Sequence, residues 1–303
     1  MVGVFRRSLS FPNKHPNRPP KPPISHHIRS ISLPCRSHPL ISQIKCEVND
    51  LKSWSTKSEN RTSIWLCDGL SRLKDVHDSL VDILQLPQTQ DSLRNQNEWV
   101  EKLLEDFLRF VDVYGIFQTS VLALKEEQFA AQVAIRKKDE SKLALYLKAR
   151  KRIAKEMAKL VSAIRYIGQY PVPKSMLTSI ADTELSGVVG DVVEATMLVT
   201  TALLNGISEA FAASRTRKSL WMGLRLKKKA KKAKIEEGIQ EFQQIGSVDS
   251  LWGFKKKSEE EVRVVSKNMR ELEGCVCNIE SVCEKVFRSL INTRVSLLNT
   301  LTQ

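Results

Sequence analysis

Between Val262 and Leu297 the apolar residues step alternately by three and four positions: Val262, Val265, Met269, Leu272, Val276, Ile279, Cys283, Val286, Leu290, Thr293 and Leu297, with Thr293 alone polar. A mean period of 3.5 puts them all on one stripe of a helix, the seam along which such a helix packs on others. Ser258-Glu259-Glu260-Glu261 supplies the start, with Ser258 and Glu261 spaced as a capping box and three carboxylates at the positive end of the helix dipole. A helix of this length needs an equally long apolar surface to cover it. That requirement points to other long helices rather than to sheets.

The covering surface is either another copy or the rest of this chain. A two-stranded coiled coil wants charged residues beside the seam, whereas Cys275, Val282 and Phe287 fall there, and Ile291, Val295, Leu298 and Leu301 widen the apolar surface further on. A helix apolar on most sides is buried among several neighbours. Internal packing is therefore expected, with self-association as the alternative. Each large seam side chain contributes roughly 1.5–3 kcal/mol on burial, so loss of this tail is expected to unfold the domain.

Partner helices are readable upstream. Leu66, Leu70, Leu73, Val76, His77, Leu80 and Leu84 form one stripe, ended by Pro87. A second helix after Thr89 shows Trp99, Leu103, Phe107, Tyr114, Phe117, Val121 and Leu124, and a third over 141–168 shows Leu143, Leu147, Ile153, Met157, Leu160 and Ile164. Tyr170-Pro171-Val172-Pro173 breaks the chain, and a fourth helix follows over 175–213, with Gly187, Gly190 and Gly206 as weak points. No alternating strand run occurs. The fold class is all-α: an elongated antiparallel helical bundle over 46–303, in which 214–257 is a basic, polar connection and 258–303 the closing helix. Residues 1–45, centred on Pro19-Pro20-Lys21-Pro22-Pro23, form a disordered Pro-, Ser- and basic-rich arm that has too few apolar residues for a core.

Charge is placed unevenly. The chain carries net +14, yet residues 1–46 hold eight Lys/Arg and no acid, residues 214–234 ten and no acid, and residues 136–165 eleven against three acids. These blocks total +26, so the remainder is −12. Such polarity indicates anionic partners or complementary internal faces. The longest uncharged apolar run, Ala195 to Ser208, is 14 residues between Glu194 and Glu209, short of the ~20 needed to span a bilayer. It reads as a core helix, so no transmembrane segment is expected.

The basic segment SRTRKSLWMGLRLKKKAKKAK combines Arg215, Arg217, Lys218, Arg225, Lys227, Lys228, Lys229, Lys231, Lys232 and Lys234 with Trp221, an aromatic suited to the headgroup level. An anionic membrane surface is its first functional reading, at about 1 kcal/mol per basic residue. A nuclear-import signal, a calmodulin-type target and a solvated loop are the others. In the arm, Arg29-Ser30-Ile31-Ser32-Leu33-Pro34 has the pattern that 14-3-3 proteins bind once Ser32 is phosphorylated: arginines pair with the phosphate, and Pro34 turns the peptide away. The basic face over 136–165 has only Tyr146 and Tyr166 for base stacking, so nucleic acid is disfavoured and pairing with acidic faces of other helices is preferred.

Chemistry of other kinds is thinly represented. The six cysteines show no zinc-type spacing and read as reduced, packed thiols. Histidines and Cys35 crowd the arm without acidic support, so no metal and no cofactor is expected. No phosphate-binding glycine loop, HExxH or GxSxG motif occurs, and His77, between Asp75 and Asp78, reads as a surface or hydrogen-bonded packing residue. A non-enzymatic protein is expected.

Several runs then converge. His27-Ile28-Arg29-Ser30-Ile31-Ser32-Leu33-Pro34-Cys35-Arg36-Ser37-His38-Pro39-Leu40 closely resembles the HxRSxSLPxRSHP opening of the plant Bypass-like family, also known as domain of unknown function 241. The likeness continues through Leu73-Lys74-Asp75-Val76-His77-Asp78, Leu84-Gln85-Leu86-Pro87-Gln88-Thr89-Gln90 and the run Leu103 to Val113, and closes on the run Leu290 to Leu301, which holds the family's TRVSLLN-like stretch, Thr293 to Asn299. The resemblance implies a helical plant protein without an assigned enzymatic activity, linked to root and shoot development, and it brings no catalytic residues. Relatives associated with secretory-vesicle tethering fit the polybasic segment loosely. The expected role is a scaffold or interaction protein, cytoplasmic and peripheral at membranes. The alternatives are a nuclear basic protein contacting nucleic acid and, from the transit-like composition of the arm, a plastid location.

Overall fold

The computed structural model describes residues 38–56, 61–168, 180–212, 238–244 and 257–302. They form helices α1 (Pro39–Thr56), α2 (Ser63–Leu84), α3 (Pro87–Arg94), α4 (Asn97–Lys137), α5 (Glu140–Ile164), α6 (Ile180–Ala212), α7 (Gln240–Gln244) and α8 (Glu259–Thr302). Among the described residues there is no strand, so the all-α class holds. The Arg29–Pro34 motif and the basic run 214–234 lie outside the described residues.

Helix α8 is 44 residues, about 66 Å at 1.5 Å per residue. Its capping box forms as the spacing predicts: the Ser258 amide donates to Glu261 Oε2 at 2.8 Å, and the Glu261 amide donates to Ser258 Oγ at 3.3 Å. The seam from Val265 to Leu297 is buried against α4 and α2 of the same chain. Lys125 pairs with Glu280 at 2.7 Å and the Gln128 side chain donates to the Met269 carbonyl at 2.9 Å, which sets α4 and α8 antiparallel. The widened apolar end is less covered than expected: Ile291 is 37% and Val295 47% exposed. Two neighbours cover the seam but leave α8's third side open.

Helix α6 is the most enclosed, with Val188, Val192, Val199, Leu203 and Ile207 all buried between α5, α1 and α2. By length and composition both α4 and α6 could cross a membrane, which corrects the expectation that no segment qualifies. Counting only uncharged runs misses them, because a membrane-compatible window tolerates an acid or two. In this fold the acids of α6 are used internally, with Lys52 of α1 holding Asp191 at 3.0 Å and Glu194 at 2.7 Å.

Helix α1 was not foreseen. The helical body starts at Pro39 rather than at 46. Proline is well suited to a first helical turn, where its missing N–H costs nothing. Ile41, Ile44, Val48, Leu51 and Trp54 then follow at helical spacing and are buried, a stripe masked in the sequence by the polar and charged residues between them. Pro87 likewise opens α3 rather than only ending α2. The glycines of α6 do not interrupt it.

Candidate basic docking surface

Asp139 starts α5 by accepting from the Ser141 amide at 3.1 Å and the Lys142 amide at 3.3 Å. The helix buries Leu143, Tyr146, Leu147, Ile153, Met157, Leu160 and Ile164 against α4 and α6. Its opposite face carries Lys142, Lys148, Lys151, Arg152, Lys155 and Lys159, all exposed. From Lys142 to Lys159 this face runs about 26 Å. Its one acid, Glu156, meets Lys159 at 3.5 Å. Lys142, Lys148, Lys151, Arg152 and Lys155 make no ion pair with any described residue. The expected pairing with acidic faces of other helices is not found among the described residues: Glu184 of α6 serves Lys45 of α1 at 2.5 Å, and Glu280 of α8 serves Lys125 of α4. Leu145, 54% exposed, sits within the basic face, and Tyr166, 62% exposed, lies just beyond its end.

One cation of the block is withdrawn from this surface. Arg150 is buried, its guanidinium 4.4 Å above the Phe211 ring and 5.8 Å from that of Tyr146, and Nη2 donates to the Phe242 carbonyl at 3.2 Å. Desolvation pulls its pKa below the usual guanidinium value. It fastens α7 to α5 and α6. Tyr146 is buried beside it, which leaves Tyr166, just past the end of α5, as the exposed aromatic of the block.

Helix α7 is fastened on every side. The Ile239 amide donates to the Gly206 carbonyl and the Gln240 amide to the Arg61 carbonyl, each at 3.0 Å. The Glu241 carboxylate accepts from the Ser63 amide at 2.9 Å and hydroxyl at 2.7 Å, closing the first turn of α2. A Cβ on Gly206 would stand 2.9 Å from Ile239 Cγ1, so glycine permits this approach. Gly238 lies against the backbone of Ala210. The chain that leaves α6 at Ala212 thus re-enters the described residues beside the same end of α6. Arg215, Arg217, Lys218, Trp221, Arg225, Lys227, Lys228, Lys229, Lys231, Lys232 and Lys234 belong to the interval between these two pinned points. The connection read as 214–257 is consequently not one span, because Ile239 and Phe242 anchor its middle in the core.

His77 is a packing residue. It is fully buried, with Nε2 3.0 Å from Thr196 Oγ1 and Nδ1 3.2 Å from Thr293 Oγ1, so it ties α2 to α6 and α8. Desolvation lowers its pKa to about 4, and the ring is neutral near pH 7. Both hydroxyls also lie within reach of the carbonyl four residues back. A neutral ring has one N–H, so one of the two hydroxyls turns its proton to the imidazole. The lone polar seam residue, Thr293, is thereby explained. The five described cysteines are free thiols.

The fold and this surface define a helical bundle, strand-free among the described residues, in which α8 runs antiparallel to α4 and parallel to α2, with a basic face left to solvent. The chain belongs to the Bypass-like family: the family model described as Protein BPS1 matches residues 69–300, more than half of the chain and nearly all of α2 through α8. Helix α1 and the Arg29–Pro34 motif lie outside the matched residues. No curated protein and no solved structure matches the chain.

Proposed function

We propose that this chain is a non-enzymatic scaffold of plant development, of the kind linked to root and shoot growth, that works by docking peripherally on anionic membranes while binding protein partners. The observation that carries the reading is the unpaired basic face of α5. Five lysines and arginines near an anionic surface are worth at most about 5 kcal/mol, an affinity on the order of 0.1 mM, so the face alone binds weakly. A second basic element is needed. The run from Arg215 to Lys234 supplies ten more cations, in sequence between α6 and α7, the two helices that meet Arg150 of α5 through Phe211 and Phe242. Leu145 and Tyr166 add interfacial area beside the charges.

Co-sedimentation of the full chain with phosphatidylserine vesicles tests this against the nuclear alternative. Lys148→Ala/Lys151→Ala/Arg152→Ala/Lys155→Ala is expected to cut vesicle affinity by about 100-fold or more in moderate salt. The same variant is expected to keep the wild-type melting temperature, since these side chains are exposed. If vesicles do not bind while duplex DNA does, and the variant loses DNA, the nucleic-acid reading replaces the membrane one. If neither binds, the basic face is not a docking surface.

A further inference from the structure

A second concentration of positive charge is concave. Where α4 turns into α5 beside the start of α8, a groove of about 440 Å³ is lined by Arg136, Lys138, Arg263 and Arg270, with Ser266 at its wall and Glu259 as its one acid. Its volume lies within the ~300–1,000 Å³ usual for small-molecule sites. Arg136 and Lys138 make no ion pair among the described residues. Arg263 is held loosely, 3.9 Å from both Glu259 and Glu260. Arg270 spends only Nε on the Ser266 carbonyl, at 3.4 Å.

Lys138 adds an independent observation. It is the only described non-glycine residue with positive φ (φ 53°, ψ 35°), at the C-cap of α4. The Asp139 amide closes the end of the helix on the Ala134 carbonyl at 2.9 Å. Glycine or asparagine is the usual occupant of such a position, because a Cβ is strained there. A lysine placed there sends a cation to the groove at the expense of backbone comfort, a pattern that belongs to functional sites.

We propose that this groove binds a compact polyphosphate, a small molecule or lipid headgroup with several phosphates on one ring. Three arginines offer flat, forked donors that match phosphate oxygens two at a time, and Lys138 adds a point charge from the turn. The net +3 of the lining balances a multivalent anion rather than a single carboxylate. A single nucleic-acid strand is held by aromatic stacking as well as by charge, and among the described residues no aromatic side chain lines this groove. The site stands whether or not the α5 face meets a membrane.

Calorimetric titration of the full chain with inositol hexakisphosphate at about 0.15 M salt tests it, alongside vesicles containing a phosphatidylinositol bisphosphate or phosphatidylserine at matched charge. Single-site binding is expected, weakened about tenfold by Lys138→Gly and by Arg136→Gln or Arg270→Gln. Lys138→Gly should not lower the melting temperature, since glycine suits that backbone, so its loss of binding is separable from misfolding. The control Lys151→Gln/Arg152→Gln on α5 should bind the soluble probe as wild type does. Binding to the soluble probe assigns a free metabolite; groove-dependent binding to bisphosphate vesicles alone assigns a lipid headgroup, and the site holds in both cases. If neither probe binds, or if the α5 control loses as much affinity as the groove variants, the site is overturned. Loss of phosphatidylserine binding by the α5 variants alone bears on the membrane reading and leaves the groove intact.

Discussion

Replacing Gly69 with alanine tests how α1 is held. Trp54 of α1 is 5% exposed, its ring stacked on Trp65 at 4.2 Å and 13°, and its Nε1 donates to the Trp65 carbonyl at 3.0 Å. A Cβ on Gly69 would stand 2.5 Å from two atoms of the Trp54 ring and closer to a third, so the ring must leave. The indole is wedged between Trp65 and the α2 backbone, and a small shift does not make room. Expelling a buried tryptophan costs about 3–5 kcal/mol, and alanine returns about 1 kcal/mol of helix preference. The net expectation is a loss of about 2–4 kcal/mol, localised to α1. Hydrogen exchange read by mass spectrometry should show amides of 39–56 deprotected, while α6 and α8 keep their protection apart from the contacts α1 makes through Lys45 and Lys52. Gly69→Ala/Trp54→Leu should recover part of the protection, because the clash is removed. An unchanged or higher melting temperature for Gly69→Ala, with α1 amides still protected, refutes the argument.

Two further outcomes follow from the buried histidine and the arm. His77 has its pKa lowered from 6.5 to about 4, so the unfolded chain takes up a proton that the folded chain refuses between those values. Its contribution to stability is complete above pH about 6.5 and falls by roughly 3 kcal/mol towards pH 4; denaturant melts of wild type and His77→Gln should differ in slope over that window, and parallel curves would sink the assignment. For the arm, Ser32→Ala is expected to remove 14-3-3 protein from affinity purifications, and its retention in the mutant rules out Ser32 as the docking phosphosite.

Much of the fold is legible in the residues. The 3–4 spacing of α8 and its capping box place a helix within a residue of where it occurs, because local hydrogen bonds and side-chain periodicity decide both. Helix α1 escaped because composition and pattern disagree over 39–56: lysines and polar residues surround a stripe of Ile41, Ile44, Val48 and Leu51 that only contact with α2 and α6 makes decisive. The candidate surface was half legible. Lys148, Lys151, Arg152, Lys155 and Lys159 recur at helical spacing, which marks one face. Whether acids cover that face depends on which helix lies opposite, and that cannot be read along the chain. Arg150 belongs to the same block by sequence and to the core by position.

The sequence by itself determined the helical class, the long seam of α8, the uneven charge and the family resemblance, because each is written in residue type and spacing along one segment. Only the tertiary structure decided which charges stay free. It buried Arg150 beside Phe211, gave the acids of α6 and α8 to Lys52 and Lys125, and gathered Arg136, Lys138, Arg263 and Arg270 from opposite parts of the chain around one groove. Coulombic and hydrogen-bond partners act over a few ångströms of space, whatever their separation in sequence. The proposed docking face and groove of this bundle therefore come into existence only on folding.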